Sequence, residues 1–122
     1  MTDYEEGFLM GVLVGEGHFG GDLVQAQVNV RMHIRQQKLL AWLLRMFPGS
    51  KLYGPYHHNN RHYMQWMARG KTLRQDLLPL LLRNLEFVDD HIRQRIEMMI
   101  ERYKLCDTEL LYFSYPDTVP RY

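Results

Sequence analysis

The residues best suited to chemistry stand in alternation. Val24, Ala26, Val28, Val30, Met32 and Ile34 are interleaved with Gln25, Gln27, Asn29, Arg31, His33 and Arg35. A period of two belongs to a strand and predicts one buried and one solvated face. A second alternation, from Arg61 to Arg69, turns Met64, Trp66 and Ala68 inward and Arg61, Tyr63, Gln65 and Arg69 outward. Residues 51–56 read as another strand, adding Lys51 and Tyr53 to the solvated set. That set holds amides, cations and phenols, and no acid. Arg pairs with guanine edges and Asn or Gln with adenine edges, and a β-ribbon fits the major groove. The absence of carboxylates is what approach to phosphates demands. A plain solvated sheet face is the alternative.

Three further features carry chemistry. Gly7, Gly11 and Gly15 stand four apart and therefore share one side of a helix. Each interior glycine costs about 1 kcal/mol relative to alanine, so three call for a cause. Close approach of another helix is one cause, and packing against the chain's own sheet is the other. With no second copy of the pattern in the chain, an equivalent partner helix means a homodimer. Glu16 follows at the helix end, where the dipole disfavours a carboxylate. In such a dimer two Glu16 carboxylates would meet near the axis and share a proton or a metal ion. Oxygen ligands beside a phosphate suit Mg²⁺. An ordinary glutamate in a turn is the competing reading. His57, His58 and His62 lack a nearby cysteine and read as structural or phosphate-contacting rather than zinc-binding, with residues 57–60 as a polar turn.

The elements that must position these residues follow from capping and periodicity. Thr2 and Glu5 form a capping box for a first helix through Phe8, Leu9, Val12 and Leu13, ended by Gly15-Glu16-Gly17. Gly20-Gly21 reads as a tight turn between a short strand at His18-Phe19 and the long alternating one. Leu40, Leu43, Leu44 and Phe47 mark a second helix stopped by Pro48-Gly49. Thr72 and Gln75 suggest another capping box, for a helix that Pro79 should kink or shorten. Asp89 or Asp90 caps a last helix with Ile92, Ile96, Ile100 and Tyr103 on its apolar stripe. Met64, Trp66, Met98 and Met99 have core-like spacing, and Cys106 should pack on the last helix. Residues 1–106 make one domain, and 107–122 an irregular aromatic tail expected to pack back on it. The order is helix, two strands, helix, two strands, two helices. This is an α+β layer with helices on one face of a four-stranded antiparallel sheet.

Composition sets the bounds. The 122 residues are one domain's length, 46% hydrophobic and 24% charged, which excludes disorder and collagen-like repeats. One cysteine excludes an internal disulfide and fits a reducing compartment. No stretch approaches the ~20 apolar residues of a membrane span. The chain opens with Asp3, Glu5 and Glu6, unlike a secretory signal. The expectation is a soluble cytoplasmic protein with no membrane partner and no small-molecule substrate. The net charge of +1 conceals a pattern: residues 1–30 carry −5, 31–83 carry +9 and 84–122 carry −3. A basic middle between acidic ends suits a polyanion.

The run Leu9-Met10-Gly11-Val12-Leu13-Val14-Gly15-Glu16-Gly17 resembles the LAGLIDADG motif of homing endonucleases. His18-Phe19 stands where that family starts its first strand, and Ile34-Arg35-Gln36 is similar to the hydrophobic-x-Gln that closes its second. Element order over residues 4–103 matches the family's αββαββα core. The resemblance implies a saddle-shaped sheet on double-stranded DNA and paired motif helices in a homodimer, with cleavage of a near-palindromic site. It implies Glu16 as the divalent-metal ligand, with the Gly15 carbonyl beside it, and Gln36 as the residue that orders water at the scissile phosphate. Val14 stands where the motif often has Asp. Where the family often has a catalytic Lys, this chain has Glu86, Asp89 and Asp90, with Arg83 and His91 the nearest substitutes. These departures keep open a non-cleaving DNA-binding regulator. A dimeric protein-interaction module is a further alternative.

Overall fold

The computed structural model describes residues 1–106, so the tail expected at 107–122 lies outside the described residues. Helix α1 (Asp3–Glu16) leads into β1 (Gly17–Gly21) and β2 (Ala26–His33). Helix α2 (Gln37–Met46) connects to the hairpin β3 (Lys51–His58) and β4 (Arg61–Arg69), followed by α3 (Leu78–Arg83) and α4 (Asp90–Tyr103). The antiparallel sheet has the order β1-β2-β4-β3, so the two hairpins join through their second strands. Ala26, Val28, Val30, Trp66 and Ala68 turn to the core, where they meet Leu9, Leu13, Leu40, Leu43, Ile96 and Ile100. Helices therefore cover one face, and the fold class is the α+β layer expected. No helix among the described residues is long and apolar enough to cross a membrane.

The capping box at Thr2 is present in both directions: Glu5 N–H donates to Thr2 Oγ1 at 3.1 Å and Thr2 N–H to Glu5 Oε1 at 2.9 Å. At the other end, Gly17 is extended (φ −78°) rather than left-handed. Its missing side chain matters for space, because a Cβ there would stand 2.5 Å from the Leu13 carbonyl oxygen. That close return lets the chain pass from helix to strand without a loop.

Several expectations need correction. Gly20 and Gly21 belong to β1, and the turn lies at 22–25, built on the Asp22 side chain with Leu23 left-handed (φ 78°). The turn lifts Val24 out of the strand, and it is 87% exposed instead of buried. At the far end the chain coils at Ile34–Gln36 into a 3-10 turn, so Ile34 and Arg35 are not strand residues. His57 and His58 are in β3, and the connection is only Asn59-Asn60, both with positive φ, a residue type that tolerates such a hairpin turn. Thr72 caps nothing. It is buried within a π-helical turn (Thr72–Leu77), its hydroxyl occupying the place a Cβ on Gly49 would need. The π turn delivers Pro79 to the first turn of α3, where its absent N–H is not missed, leaving α3 six residues long. Asp89 stands at the start of α4 without a capping bond from its side chain. Met98 is 67% exposed, whereas Met99 is buried.

Candidate nucleic-acid interface and the end of the motif helix

The uncovered face is built by register. Across β2 and β4, Gln27 pairs with Arg69, Asn29 with Met67, Arg31 with Gln65 and His33 with Tyr63. Across β4 and β3, Lys51 pairs with Met67, Tyr53 with Gln65, and Arg61 with His58. All the strand residues expected on this face therefore share it, except that Gln25 sits in the 22–25 turn and Arg35 in the 3-10 turn. At the centre, Arg31 Nη2 donates to Gln65 Oε1 at 3.1 Å, and Gln65 Nε2 donates to Asn29 Oδ1 at 3.1 Å. The Arg31 guanidinium also lies 5.1 Å from the Tyr63 ring centre. His33 caps the 3-10 turn, its Nδ1 accepting from Arg35 N–H at 3.1 Å. No carboxylate takes part in this central network.

The alternation missed four residues of the face and one at its edge. His18 pairs with Asn29 from β1, and Met67 lies between Asn29 and Lys51. Tyr56 and His58 join because the register slips by one residue between Tyr53 and Tyr56, at Gly54 (φ 106°) and the cis Gly54–Pro55 bond. A slip of one inverts which side chains face out. The Gly-Pro pair was the available signal. Tyr56 and Tyr63 then sit with ring centres 5.3 Å apart. Asp22 stands at the edge, accepting from Gln27 Nε2 at 3.1 Å.

Glu16 and Gln36 occupy one end of the sheet. Glu16 closes α1 just before β1, and Gln36 follows three residues after β2, the antiparallel neighbour of β1. Both side chains reach solvent, and Glu16 makes no ion pair among the described residues. Gly15 lies in the last turn of α1, where carbonyls have no helical partner. Exposed oxygen donors of this kind fit a hard divalent cation. A single chain supplies few of them: among the described residues no three His, Cys, Asp or Glu gather into a metal-holding group. Gly7, Gly11 and Gly15 lie on the outer side of α1, and a Cβ on any of them would touch nothing within 4 Å among the described residues. Packing against the chain's own sheet is thus not their role. Tyr4 and Phe8 flank them, 84% and 47% exposed.

No family model and no curated protein matches the chain. Solved structures do. A group I intron-encoded homing endonuclease, I-CeuI, complexed with DNA, superposes with a TM-score of 0.65 at 17% identity, covering 85% of this chain and 56% of that one. The LAGLIDADG homing endonuclease I-GzeII, in complex with its DNA target, gives 0.63 at 16% identity over 93% of this chain and 42% of that one. The homing endonuclease I-CvuI in complex with its target gives 0.60 at 14% identity, over 91% and 75%. The chain has the LAGLIDADG fold. It spans about half the length of the I-CeuI and I-GzeII chains. Helix α1 carries the run that resembles the family's motif and ends at Glu16. Arg83, one of the two candidate substitutes for the catalytic lysine that the resemblance implies, is committed to Glu6. It grips Glu6 through Nε at 3.2 and 3.1 Å and through Nη2, and Asn84 Nδ2 adds a bond to Glu6 at 2.9 Å. Glu6 is ten residues before Glu16, about 15 Å along the helix.

Proposed function

We propose that the chain is a member of the LAGLIDADG family and a site-specific, Mg²⁺-dependent endonuclease. It acts as a homodimer on near-palindromic double-stranded DNA. The observation that carries this reading is the uncovered sheet face. Amides, arginines and tyrosines are arrayed there in register without a carboxylate in their central network, on a fold shared with homing endonucleases solved in complex with DNA. Donors spaced along a twisted antiparallel sheet can follow the major groove, and Arg, Asn and Gln can read base edges there. A twofold protein presents the same face to two half-sites, which is why the site is near-palindromic.

In the dimer the motif helices pack through the glycine side of α1, and each protomer brings one Glu16 to the axis. Glu16 and the Gly15 carbonyl would hold the ion. Bound there, a divalent cation would supply charge neutralisation at the scissile phosphate and a more acidic water. Gln36, exposed at the same end of the sheet, would position the attacking water through its amide. Arg31, Lys51 and Arg69 anchor the flanking backbone and bases.

A non-cleaving regulator is the second reading, and a specific observation favours it. Arg83 is held by Glu6, and the chain around the start of α4 offers Glu86, Asp89 and Asp90 where the family often has a lysine, leaving His91 as the remaining substitute to offset the developing phosphate charge. The test is a selection for cleaved duplexes from a randomised near-palindromic library, with Mg²⁺ and then with Mn²⁺. Cutting that Glu16→Gln abolishes supports the endonuclease. Specific binding without cutting under either metal leaves the regulator.

A further inference from the structure

We propose that Asp22, outside the sheet, is a positioning residue for specificity: it fixes which end of the Gln27 amide faces outward, and so which bases Gln27 reads. The inference rests on the face being a DNA-binding surface.

Asp22 Oδ1 accepts from Val24 N–H at 2.9 Å and from Gln25 N–H at 2.8 Å, which builds the β1–β2 turn. Its second oxygen, Oδ2, accepts from Gln27 Nε2 at 3.1 Å. The Gln25 and Val24 amides hold the carboxyl below the usual aspartate range, so it is ionised at neutral pH. An ionised carboxylate only accepts, so the Gln27 nitrogen must turn toward it. Gln27 Oε1 is then the end left for a base. A carbonyl oxygen complements the exocyclic amine of cytosine or adenine and opposes O6 and N7 of guanine and O4 of thymine. The space beside it is open: Gly20 stands opposite Gln27 in β1, with nothing within 4 Å of where its Cβ would be.

Gln65 shows the reverse arrangement. Its oxygen receives Arg31 and its nitrogen serves Asn29, leaving the Arg31 and Asn29 N–H groups as the outward donors. Along β2 itself, Gln27 thus presents an acceptor, and Asn29 and Arg31 present donors.

Asp22→Asn tests the idea, because it changes one atom. The amide oxygen must stay on the two backbone N–H groups, so the new Nδ2 takes the place of Oδ2 and donates. Gln27 must then rotate to offer Oε1 inward and Nε2 outward. Duplexes are selected from a randomised library by the full-length wild type, Asp22→Asn and Gln27→Met. The expectation is one position per half-site where the wild type prefers cytosine or adenine about tenfold. Asp22→Asn should switch that position to guanine or thymine and leave the others alone, and Gln27→Met should flatten it. An unchanged Asp22→Asn profile, or one altered at every position, overturns the proposal while DNA binding stands. Failure of the wild type to select any duplex removes the DNA-binding reading and this inference with it.

Discussion

At the residue scale, the proposed function assigns Glu16 and Arg31 separable roles, in cleavage and in base reading. Glu16 makes no ion pair, so Glu16→Gln removes charge without breaking one. Cleavage should disappear while binding is kept or strengthened, since two fewer carboxylates face the phosphates. Gel shift and cleavage assays on the same duplex check both. Gln36→Ala should slow cleavage without stopping it, because a water-holding amide contributes less than the ion. Arg31 behaves differently, being tied to Gln65 and through it to Asn29. Arg31→Ala should cost about 1–3 kcal/mol of binding and relax one base position. Combined with Gln65→Ala the losses should fall short of additive, as expected for residues in one network. Additive losses in a double-mutant cycle would show that the observed bonds do not organise the face.

At the element scale, the proposed dimer makes a prediction for α1. A Cβ at Gly11 meets no atom of the described residues within 4 Å, and leucine is the better helix former. Gly11→Leu should therefore leave the folded protomer intact or slightly more stable, yet dissociate the dimer, since overpacking a close helix contact is costly. Sedimentation of the wild type as a monomer at micromolar concentration would remove the dimer. The opposite end of α1 is pinned to the end of α3 through Glu6, Arg83 and Asn84. Arg83, then Asn84, hold the Glu6 carboxyl below the ordinary glutamate range. Its stabilising effect is thus present above that range and lost as pH falls through the lowered value. Thermal melts of Glu6→Gln should show a shallower acid-side loss than the wild type, modest in size because Arg83 is largely exposed. Sequence revealed the elements whose signal is local: the Thr2 box, the alternations in β2 and β4, and the Ile stripe of α4. It misjudged those set by a partner elsewhere. Gly20 and Gly21 look like a turn until β2 pairs with them, and Thr72 looks like a cap until Gly49 makes room for it. The slip at Gly54-Pro55 is invisible to a strict period of two, so half the face of β3 was unseen.

For the whole molecule, the charge pattern acquires a location. Four cations of the +9 segment, Arg31, Lys51, Arg61 and Arg69, lie among the outward residues of β2, β3 and β4, while Glu16, Glu86 and Asp89 lie outside these strands. Binding to duplex DNA should then weaken steeply between about 50 and 200 mM salt, because each neutralised phosphate releases counterion. A salt-insensitive association, or none at low salt, would favour a protein-binding module. The central strands have another consequence. Along β2 and β4 the residues that hold the protein together and those that face outward take turns: Val28, Val30, Trp66 and Ala68 on one side, Gln27, Asn29, Arg31, Gln65 and Arg69 on the other. Foldability and the chemistry of the outward face are thus inherited through separate positions of the same short segments. If that face reads DNA as proposed, it can drift to a new target one substitution at a time while the core sequence stands still.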